Sequence, residues 1–289
     1  MRTNSRKPQT RRRVTRGAKV GLNYIALVAG AIFLLFPLIW LFSTALKPDG
    51  QEFSIPPRLI PDPAMWENFL RAFRERPLLL YARNSAIIAV TVSFGSVVSA
   101  SLVGFGFGRL RFAGRDFWFS VLIATLILPQ IVTLIPTFLI FRAIGWYNTF
   151  LPLIVPAFFG GSAFYVFLMR QFFMTLPKEL EDAARVDGCS TLRIWLEIMA
   201  PLALPAESAV AIFSFMAAWN DFMGPLIYLA RQDLWTFAVG LRFFIAEFYA
   251  NWNLIMAASL VMLLPVVVLF LFTQRYFVRG IAVTGLAGR

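Results

Sequence analysis

Long stretches without charged residues constrain this chain more than any other feature of its sequence. A helix rises about 1.5 Å per residue, so roughly 20 apolar residues cross the hydrocarbon core of a bilayer, which is about 30 Å thick. Six stretches of the chain reach that length with at most one charged residue inside them, which predicts six membrane-spanning helices. Their limits are Lys19–Lys47, Arg83–Arg109, Asp116–Arg142, Arg142–Arg170, Ile198–Asn220 and Glu247–Arg275.

The composition agrees with a membrane protein and excludes several kinds of chemistry. The 289 residues are 59% hydrophobic and only 15% charged, with a mean hydropathy of +0.71, whereas soluble domains are about 25% charged. The chain has no histidine and one cysteine, Cys189. Histidine-dependent triads, zinc sites built from several Cys and His residues, and intrachain disulfides are therefore excluded. We predict no metal site and no cofactor bound by this chain.

The net charge of +12 follows membrane topology rather than a nucleic-acid surface. Eight basic residues lie in the first 19 positions and the others flank the apolar runs, so no nucleic-acid partner is predicted. If the N-terminus is cytoplasmic, 18 of the 27 Lys and Arg residues lie on inner segments, as the positive-inside rule requires. We therefore predict cytoplasmic N- and C-termini. The first run is too long for a signal-peptide core, so we expect a retained helix.

The charge boundaries divide the chain into five segments. The predicted protein is an all-α polytopic membrane protein with a basic cytoplasmic tail, a first transmembrane helix, an external loop, a five-helix core and a cytoplasmic C-terminal tail. The core contains a long inner segment in which charged and apolar residues alternate. The limits are 1–19, 20–46, 47–83, 84–276 (with the inner segment at 171–201) and 277–289.

The inner segment is predicted to form a helix, a break and a second helix. Pro177 and the acidic residues after it suit the first turn of a helix, because a helix N-terminus attracts negative charge. Gly188 suits the end of that helix, and Ser190 suits the N-cap of the next. These residues alone allow two interpretations. The segment is either a pair of surface helices on the inner leaflet or a protruding helix that inserts into a partner's groove.

The same segment closely resembles the coupling loop of binding-protein-dependent ABC importer permeases. The family pattern is Glu-Ala-Ala, three residues, Gly, nine residues, Ile, one residue and Leu-Pro. Here the matching residues are Asp182-Ala183-Ala184, Gly188, Ile198 and Ala200-Pro201, with every spacing kept. Two residues depart from the pattern. Asp182 keeps the charge of the glutamate but is one methylene shorter, and Ala200 replaces the leucine.

Three further stretches extend the resemblance over most of the chain from Arg83 onward. Arg109 and Gly114 match the family's second-helix exit, within SLVGFGFGRLRFAGRD at 101–116. FMAAWNDFMGPLIYL at 215–229 resembles the stretch after the fifth helix. QRYFVRGIAVTGLAG at 274–288 is similar to the C-terminal end of carbohydrate-type permeases, particularly the smaller, maltose-type subunit.

The resemblance implies a type I ABC importer permease fold, with six transmembrane helices and a cytoplasmic coupling helix that docks on ATPase subunits. It also implies a bacterial or archaeal cytoplasmic membrane, surrounding lipid, a second permease subunit and an extracytoplasmic solute-binding protein. ATP and Mg²⁺ are expected on the ATPase, since none of the four lysines follows the glycine that a P-loop requires. The ATPase-coupling residues that it implies are Glu181, Asp182, Ala183, Ala184, Asp187, Gly188, Ile198 and Pro201.

Three polar residues in or near the fifth span are weaker candidates for a pathway or gate. Glu207 is the only acid inside a predicted span, and such a residue either serves the pathway or reaches the nearby interface. Asn220 and Asp221 follow the outer end of that span, where they either cap the backbone or meet the solute-binding protein.

Two repeated patterns in the apolar regions predict packing. Small residues recur every four positions in the second span and predict a close helix–helix interface. Aromatic clusters, including Phe117-Trp118-Phe119, are expected to form belts at the membrane surface. The small residues are Ser96, Ala100, Gly104 and Gly108.

Two other classes of function remain as alternatives. A self-sufficient secondary transporter or channel would need inverted repeats and paired intramembrane charges, and only Glu207 is found. A membrane enzyme would need a polar catalytic cluster near one interface. The sequence therefore favours a sugar-importer permease, with a saccharide and a glycerol phosphate ester both compatible with it.

Overall fold

The structure, a computed structural model, describes residues 10–242, 244 and 251–286, and these residues form helices and no strands. Short 3₁₀ turns lie at Thr125–Ile127, Val155–Phe158 and Gln232–Leu234, and a π-helical turn lies at Trp195–Met199. The α-helices are α1 (Thr10–Ala45), α2 (Glu67–Glu75), α3 (Leu78–Arg109), α4 (Arg115–Ala124), α5 (Gln130–Ala143), α6 (Leu151–Ile154), α7 (Ala163–Thr175), α8 (Glu179–Val186), α9 (Thr191–Ile194), α10 (Ala200–Leu202), α11 (Leu204–Trp219), α12 (Met223–Tyr228), α13 (Phe237–Arg242) and α14 (Trp252–Leu286).

Four helical stretches are long and apolar enough to cross a membrane without a sharp bend. Two further pairs qualify if each is counted as one bent span: α4 with α5, bent by 105°, and the stretch from α9 to α10 with α11, bent by 80°. The structure thus provides four to six candidate crossings, in agreement with the six that the charge pattern predicts. The four spans are Asn23–Ala45, Leu78–Arg109, Leu151–Thr175, which joins α6 and α7 through a short turn, and Trp252–Thr273.

The third and fifth predicted spans are bent pairs rather than continuous helices. In the third, Leu128 has an extended backbone (φ −73°, ψ 117°), because the ring of Pro129 disfavours a helical conformation in the residue before it. In the fifth, Ala203 separates α10 from α11 with ψ near 2°, and Pro205 follows in the first turn of α11. Because proline has no N–H, it cannot bridge this break with a helical hydrogen bond.

The tails predicted at 1–19 and 277–289 do not begin or end where the helices do. α1 already begins at Thr10, and α14 continues as far as Leu286. The extension of α1 is rich in arginine, which helices tolerate well, so a run of charge does not by itself end a helix. The rest of the two predicted tails, 1–9 and 287–289, lies outside the described residues.

α3 is the central helix of the fold and packs closely against α7 and α11. A Cβ atom added to Gly104 would lie 2.6 Å from the Cβ of Met169 and 2.9 Å from the backbone nitrogen of Arg170 on α7. Ser96 and Ala100 on the same stripe are buried. The predicted small-residue interface is therefore confirmed, and it allows α3 and α7 to approach backbone to backbone.

A layer that includes α2 and α13 covers the end of the bundle at which α3 begins. The predicted external loop contains α2, and the buried Asn68 on α2 donates hydrogen bonds of 2.9 Å to the carbonyls of Ala45 and Lys47 at the end of α1. Phe237 on α13 is buried in the same apolar cluster as Tyr81 on α3. The segment after α11 thus packs against the bundle. Residues 243 and 245–250 of that segment lie outside the described part.

Candidate functional site

α8 and the residues around it form the predicted helix, break and second helix. α8 ends at Val186, and Gly188 has φ of +80°, a left-handed conformation that glycine adopts without steric cost. The hydroxyl of Ser190 accepts a hydrogen bond of 3.4 Å from the backbone N–H of Arg193 and caps α9. Pro177 was predicted in the first turn of this helix, but it lies just before the N-cap residue Lys178 and therefore outside α8.

A buried arginine holds α8 against the end of α3. The guanidinium of Arg109 donates to the carboxylate of Glu181, and both side chains are less than a tenth exposed. Its other nitrogens donate to the carbonyls of Phe173, Leu176 and Pro177 at 3.2, 2.9 and 2.9 Å. One side chain therefore satisfies the end of α7 and fixes the start of α8. A buried arginine requires such full pairing, because an uncompensated charge there is costly.

α8 has one face packed against the bundle and one face that is exposed. Glu181 and Ala184 are buried, and Ala184 packs in the apolar cluster that includes Ile194 and Met199. The side chains on the outer face are exposed and include Val186, whose side chain is 88% exposed. The predicted coupling residues are thus divided between the faces: Glu181 and Ala184 point inward, while Asp182, Ala183, Asp187 and Gly188 are exposed.

The remaining predicted coupling residues lie where the segment enters the bundle. Ile198, in the π-helical turn, is half-buried against the same apolar cluster, and Pro201 is exposed in α10. Cys189 is a free thiol that is partly buried and packs at the edge of this cluster. The coupling residues thus share one end of the molecule.

Glu207 joins a hydrogen-bond chain that connects three elements. The hydroxyl of Ser101 on α3 donates to Oε1 of Glu207 on α11 at 2.7 Å. The same hydroxyl accepts a hydrogen bond of 3.1 Å from the indole Nε1 of Trp195 in the π-helical turn. Glu207 is half-buried. These hydrogen bonds therefore connect the segment that follows α8 to both α3 and α11.

Asn220 and Asp221 lie at the opposite end of α11. The Asn220 amide donates to the carbonyl of Met216 at 2.8 Å, and the Asp221 carboxylate accepts from the backbone N–H of Gly224 at 3.2 Å. Burial raises the pKa of Asp221, while the backbone hydrogen bonds from Gly224 and Met223 oppose that rise. Both side chains cap backbone groups here, in agreement with one of the two predicted roles. α11, with 16 residues, is about 24 Å long at 1.5 Å per residue and separates them from the end at which the segment after α8 enters the bundle.

Ion pairs, hydrogen bonds and apolar packing hold α8 and the segment after it in place. Among the described residues, no group of three or more His, Cys, Asp or Glu side chains could hold a metal ion.

The partners of Arg109 and Glu207 are 72 and 106 residues away in the sequence and were not predicted from it. The one available signal is that a charge at the end of an apolar helix, or within it, needs a partner.

Comparisons with known proteins agree on one family. The model of the family described as "Binding-protein-dependent transport system inner membrane component" matches residues 100–283. The arabinooligosaccharides transport system permease protein AraQ of Halalkalibacterium halodurans is 34% identical over 93% of this chain and 95% of its own. The sn-glycerol-3-phosphate transport system permease protein UgpE of Yersinia enterocolitica is 32% identical over 89% and 94%. A crystal structure of a bacterial ABC transporter involved in alginate import aligns with a TM-score of 0.79 and 20% identity, over 95% of this chain and 100% of that one.

Proposed function

Since the chain belongs to the family of binding-protein-dependent transport system inner membrane components, we propose that it forms half of an importer's translocation pathway and that α8 couples this pathway to a separate ATPase. One observation supports the coupling role most directly. The outer face of α8 is exposed, while its inner face is fixed by the Arg109–Glu181 ion pair. A rigidly mounted helix with a free face suits docking into a groove of another protein.

The proposed coupling depends on the rigidity of the α8 mount. When two ATPase subunits close on ATP, they would move the α8 helices that they hold. Arg109 would pass that motion to α3, and the Trp195–Ser101–Glu207 chain would pass it to α11. The bundle would then change from an inward-facing to an outward-facing arrangement, and hydrolysis would reverse the change. ATP and Mg²⁺ belong to the ATPase in this scheme, and this chain is not itself an enzyme.

The residues predicted for coupling take two different roles in this proposal. Asp182, Ala183 and Asp187 are exposed and would meet the ATPase. Glu181 and Ala184 are buried and would position α8. Gly188 provides the positive-φ turn after α8, with no atom within 4 Å of the position of an added Cβ, so a partner surface can approach it closely. Ile198 and Pro201 would set how the segment enters the membrane.

The remaining parts of the assembly follow from the family and from the relatives. We propose a heterodimer with a second permease, two ATPase subunits and an extracytoplasmic solute-binding protein, in an inner membrane with both termini cytoplasmic. The names of the relatives refer to arabinooligosaccharides and to sn-glycerol-3-phosphate. A carbohydrate is therefore the proposed substrate class, and sn-glycerol-3-phosphate is the second candidate. Asn220 and Asp221 would face the side of the solute-binding protein.

A bulky residue at Gly188 tests the coupling role. We expect Gly188→Trp to reduce uptake into vesicles at least tenfold while the assembled importer retains ATP hydrolysis, because the indole would obstruct docking. Gly145→Trp is the matched control, since Gly145 also follows a helix, has φ of +78° and has nothing within 4 Å of an added Cβ. Uptake by Gly188→Trp equal to that of Gly145→Trp would contradict the proposal.

A further inference from the structure

A cleft of about 850 Å³ lies beside α8, at the junction of three elements. The end of α3 and the loop after it form one wall, the start of α4 forms a second, and α8 with the residue before it forms the third. Five basic side chains line this cleft together with two acidic ones. The basic residues are Arg109, Arg111, Arg115, Lys178 and Arg185.

Three of these cations are free to bind an anion from outside the protein. Arg109 is used by Glu181, and Arg115 pairs with Asp116 at 2.9 Å. Arg111, Lys178 and Arg185 are exposed, and within the described part of the chain none of them has an acidic partner within 4 Å. Asp182 is the other acid of the cleft and offsets one of these charges. The cleft therefore keeps an excess of positive charge.

The cleft lies at the level of the bilayer surface. The candidate span of α3 ends at Arg109 and the next one begins at Arg115, so the loop between them meets the membrane boundary. Large aromatic side chains surround this loop and are exposed: Phe112 by 46%, Phe117 by 64% and Trp118 by 57%. Exposed aromatics beside cations are typical of the headgroup region of a membrane. Docking of an ATPase would not require exposed aromatic side chains at the level of the lipid headgroups.

We propose that this cleft binds the phosphate of an anionic phospholipid from the leaflet on the α8 side of the membrane. Basic pockets between transmembrane helices on the cytoplasmic side recognise such headgroups, and the cleft has the charge, the depth and the aromatic rim for one. The inference rests on the proposed function for the orientation of α8, but lipid binding itself does not require coupling. The bound phosphodiester, with its single negative charge, would offset part of the positive charge of Arg111, Lys178 and Arg185 next to the docking face of α8.

Lipid retention by the full-length chain tests this inference. The chain is purified in detergent with equal amounts of phosphatidylglycerol and phosphatidylcholine, and the bound lipid is counted by native mass spectrometry. We expect selective retention of phosphatidylglycerol, and each of Arg111→Gln and Arg185→Gln should weaken it by about fivefold, the effect of one surface cation near an anionic leaflet. Both side chains are exposed, so the variants should fold. Arg142→Gln, exposed at the end of α5, is the matched control and should retain the lipid.

Two further arms distinguish other sources of the anion. Inorganic phosphate at millimolar concentration should not displace the lipid, and displacement would assign the cleft to a free phosphate instead. Loss of the lipid when the ATPase is added would assign it to an acidic partner side chain. Equal retention by the cleft variants and the Arg142→Gln control would overturn the inference. Normal uptake by Gly188→Trp would overturn the coupling role but leave these binding results unchanged, so the two proposals can fail separately.

Discussion

The two bent helix pairs of the molecule differ in what holds the bend. Between α10 and α11, the bend lies in an apolar cluster in which Met199, Ala203 and Val210 are completely buried. Between α4 and α5, by contrast, α4 has no buried residue, and side chains next to the break such as Ile127 and Ile131 are 81% and 67% exposed. The first bend is fixed by packing within this chain. At the second, the break itself is exposed, and rings farther along α4 and α5 pack against α7 and α12.

The difference means that the bend between α10 and α11 can transmit motion, whereas the bend between α4 and α5 offers a surface to lipid or another subunit. A bend packed on both sides moves as a unit with α8, because a close-packed interior is not continuously deformable. The angle of the other bend is less constrained, because the apolar side chains at its break are exposed, and such a surface is typical of contact with lipid or another subunit. Substitutions at the ion pair, in the packed core, in the hydrogen-bond chain and at the prolines test this difference between the two bends.

The ion pair that mounts α8 should give the largest effect. Arg109→Met leaves the buried Glu181 carboxylate without its partner, and we expect a loss of about 3–5 kcal/mol of stability. Thermal unfolding of the detergent-solubilised chain measures this loss. Arg115→Met removes a similar arginine at the start of α4, but its partner Asp116 is 76% exposed, so its melting temperature should not change. Equal losses in the two variants would show that α8 is not mounted through Arg109.

The double variant Arg109→Met/Glu181→Leu sharpens that experiment. It replaces both charges by apolar side chains of similar size, so it should recover the part of the stability that Arg109→Met loses through the unpaired Glu181 carboxylate. It should not recover uptake, because the hydrogen bonds from Arg109 to the carbonyls of Phe173, Leu176 and Pro177 are also lost. Full recovery of uptake would mean that apolar packing alone fixes α8.

The packed bend should be sensitive to cavities, and the exposed one should not. Met199→Ala removes a completely buried side chain beside Ala203, which costs about 2–5 kcal/mol in a close-packed core. Ile135→Ala removes a side chain of α5 that is 67% exposed, and its effect should stay within about 0.5 kcal/mol. Melting temperatures in the same detergent provide the comparison. A loss at Ile135 as large as at Met199 would remove the distinction between the bends.

Charge spacing predicted how many times the chain crosses the membrane, and local chemistry predicted the turn at Gly188 and the cap at Ser190. Both signals act over a few residues, so they are readable along the sequence. The bends at Leu128 and Ala203 were not predicted, because membrane helices often contain proline without breaking. The pairs Arg109–Glu181 and Ser101–Glu207 depend on how distant helices meet. No local pattern records that, so the burial of Glu181 against Arg109 was not predicted.

The hydrogen-bond chain at the packed bend should have an intermediate effect. Ser101→Ala leaves the Trp195 indole N–H and one Glu207 oxygen without their partner, which costs about 1–3 kcal/mol. We also expect weaker coupling, measured as more ATP hydrolysed for each solute imported. Thr137→Ala on α5 removes a hydroxyl that bonds only its own helix at 2.6 Å, so it should leave both quantities unchanged. Unaltered coupling in Ser101→Ala would show that the Trp195–Ser101–Glu207 hydrogen bonds do not pass the motion of α8 to α11.

The prolines should give the smallest effect on stability, within about 1 kcal/mol, and the clearest contrast in geometry. Pro129→Ala removes the restriction on Leu128, so α4 and α5 should straighten in the chain alone. Spin labels at Ser120 and Thr137, both outside the core, would then move toward the roughly 25 Å expected for a continuous helix of 17 residues.

Pro205→Ala should leave the other bend in place, since the burial of Met199, Ala203 and Val210 opposes straightening. Labels at Leu192 and Met216, which are 62% and 38% exposed, would report an unchanged distance. If α10 and α11 also straightened, proline rather than packing would set both angles. The segment after α8 could then bend while α8 moves, and a flexible joint at that position would absorb the motion that the proposed coupling requires it to transmit.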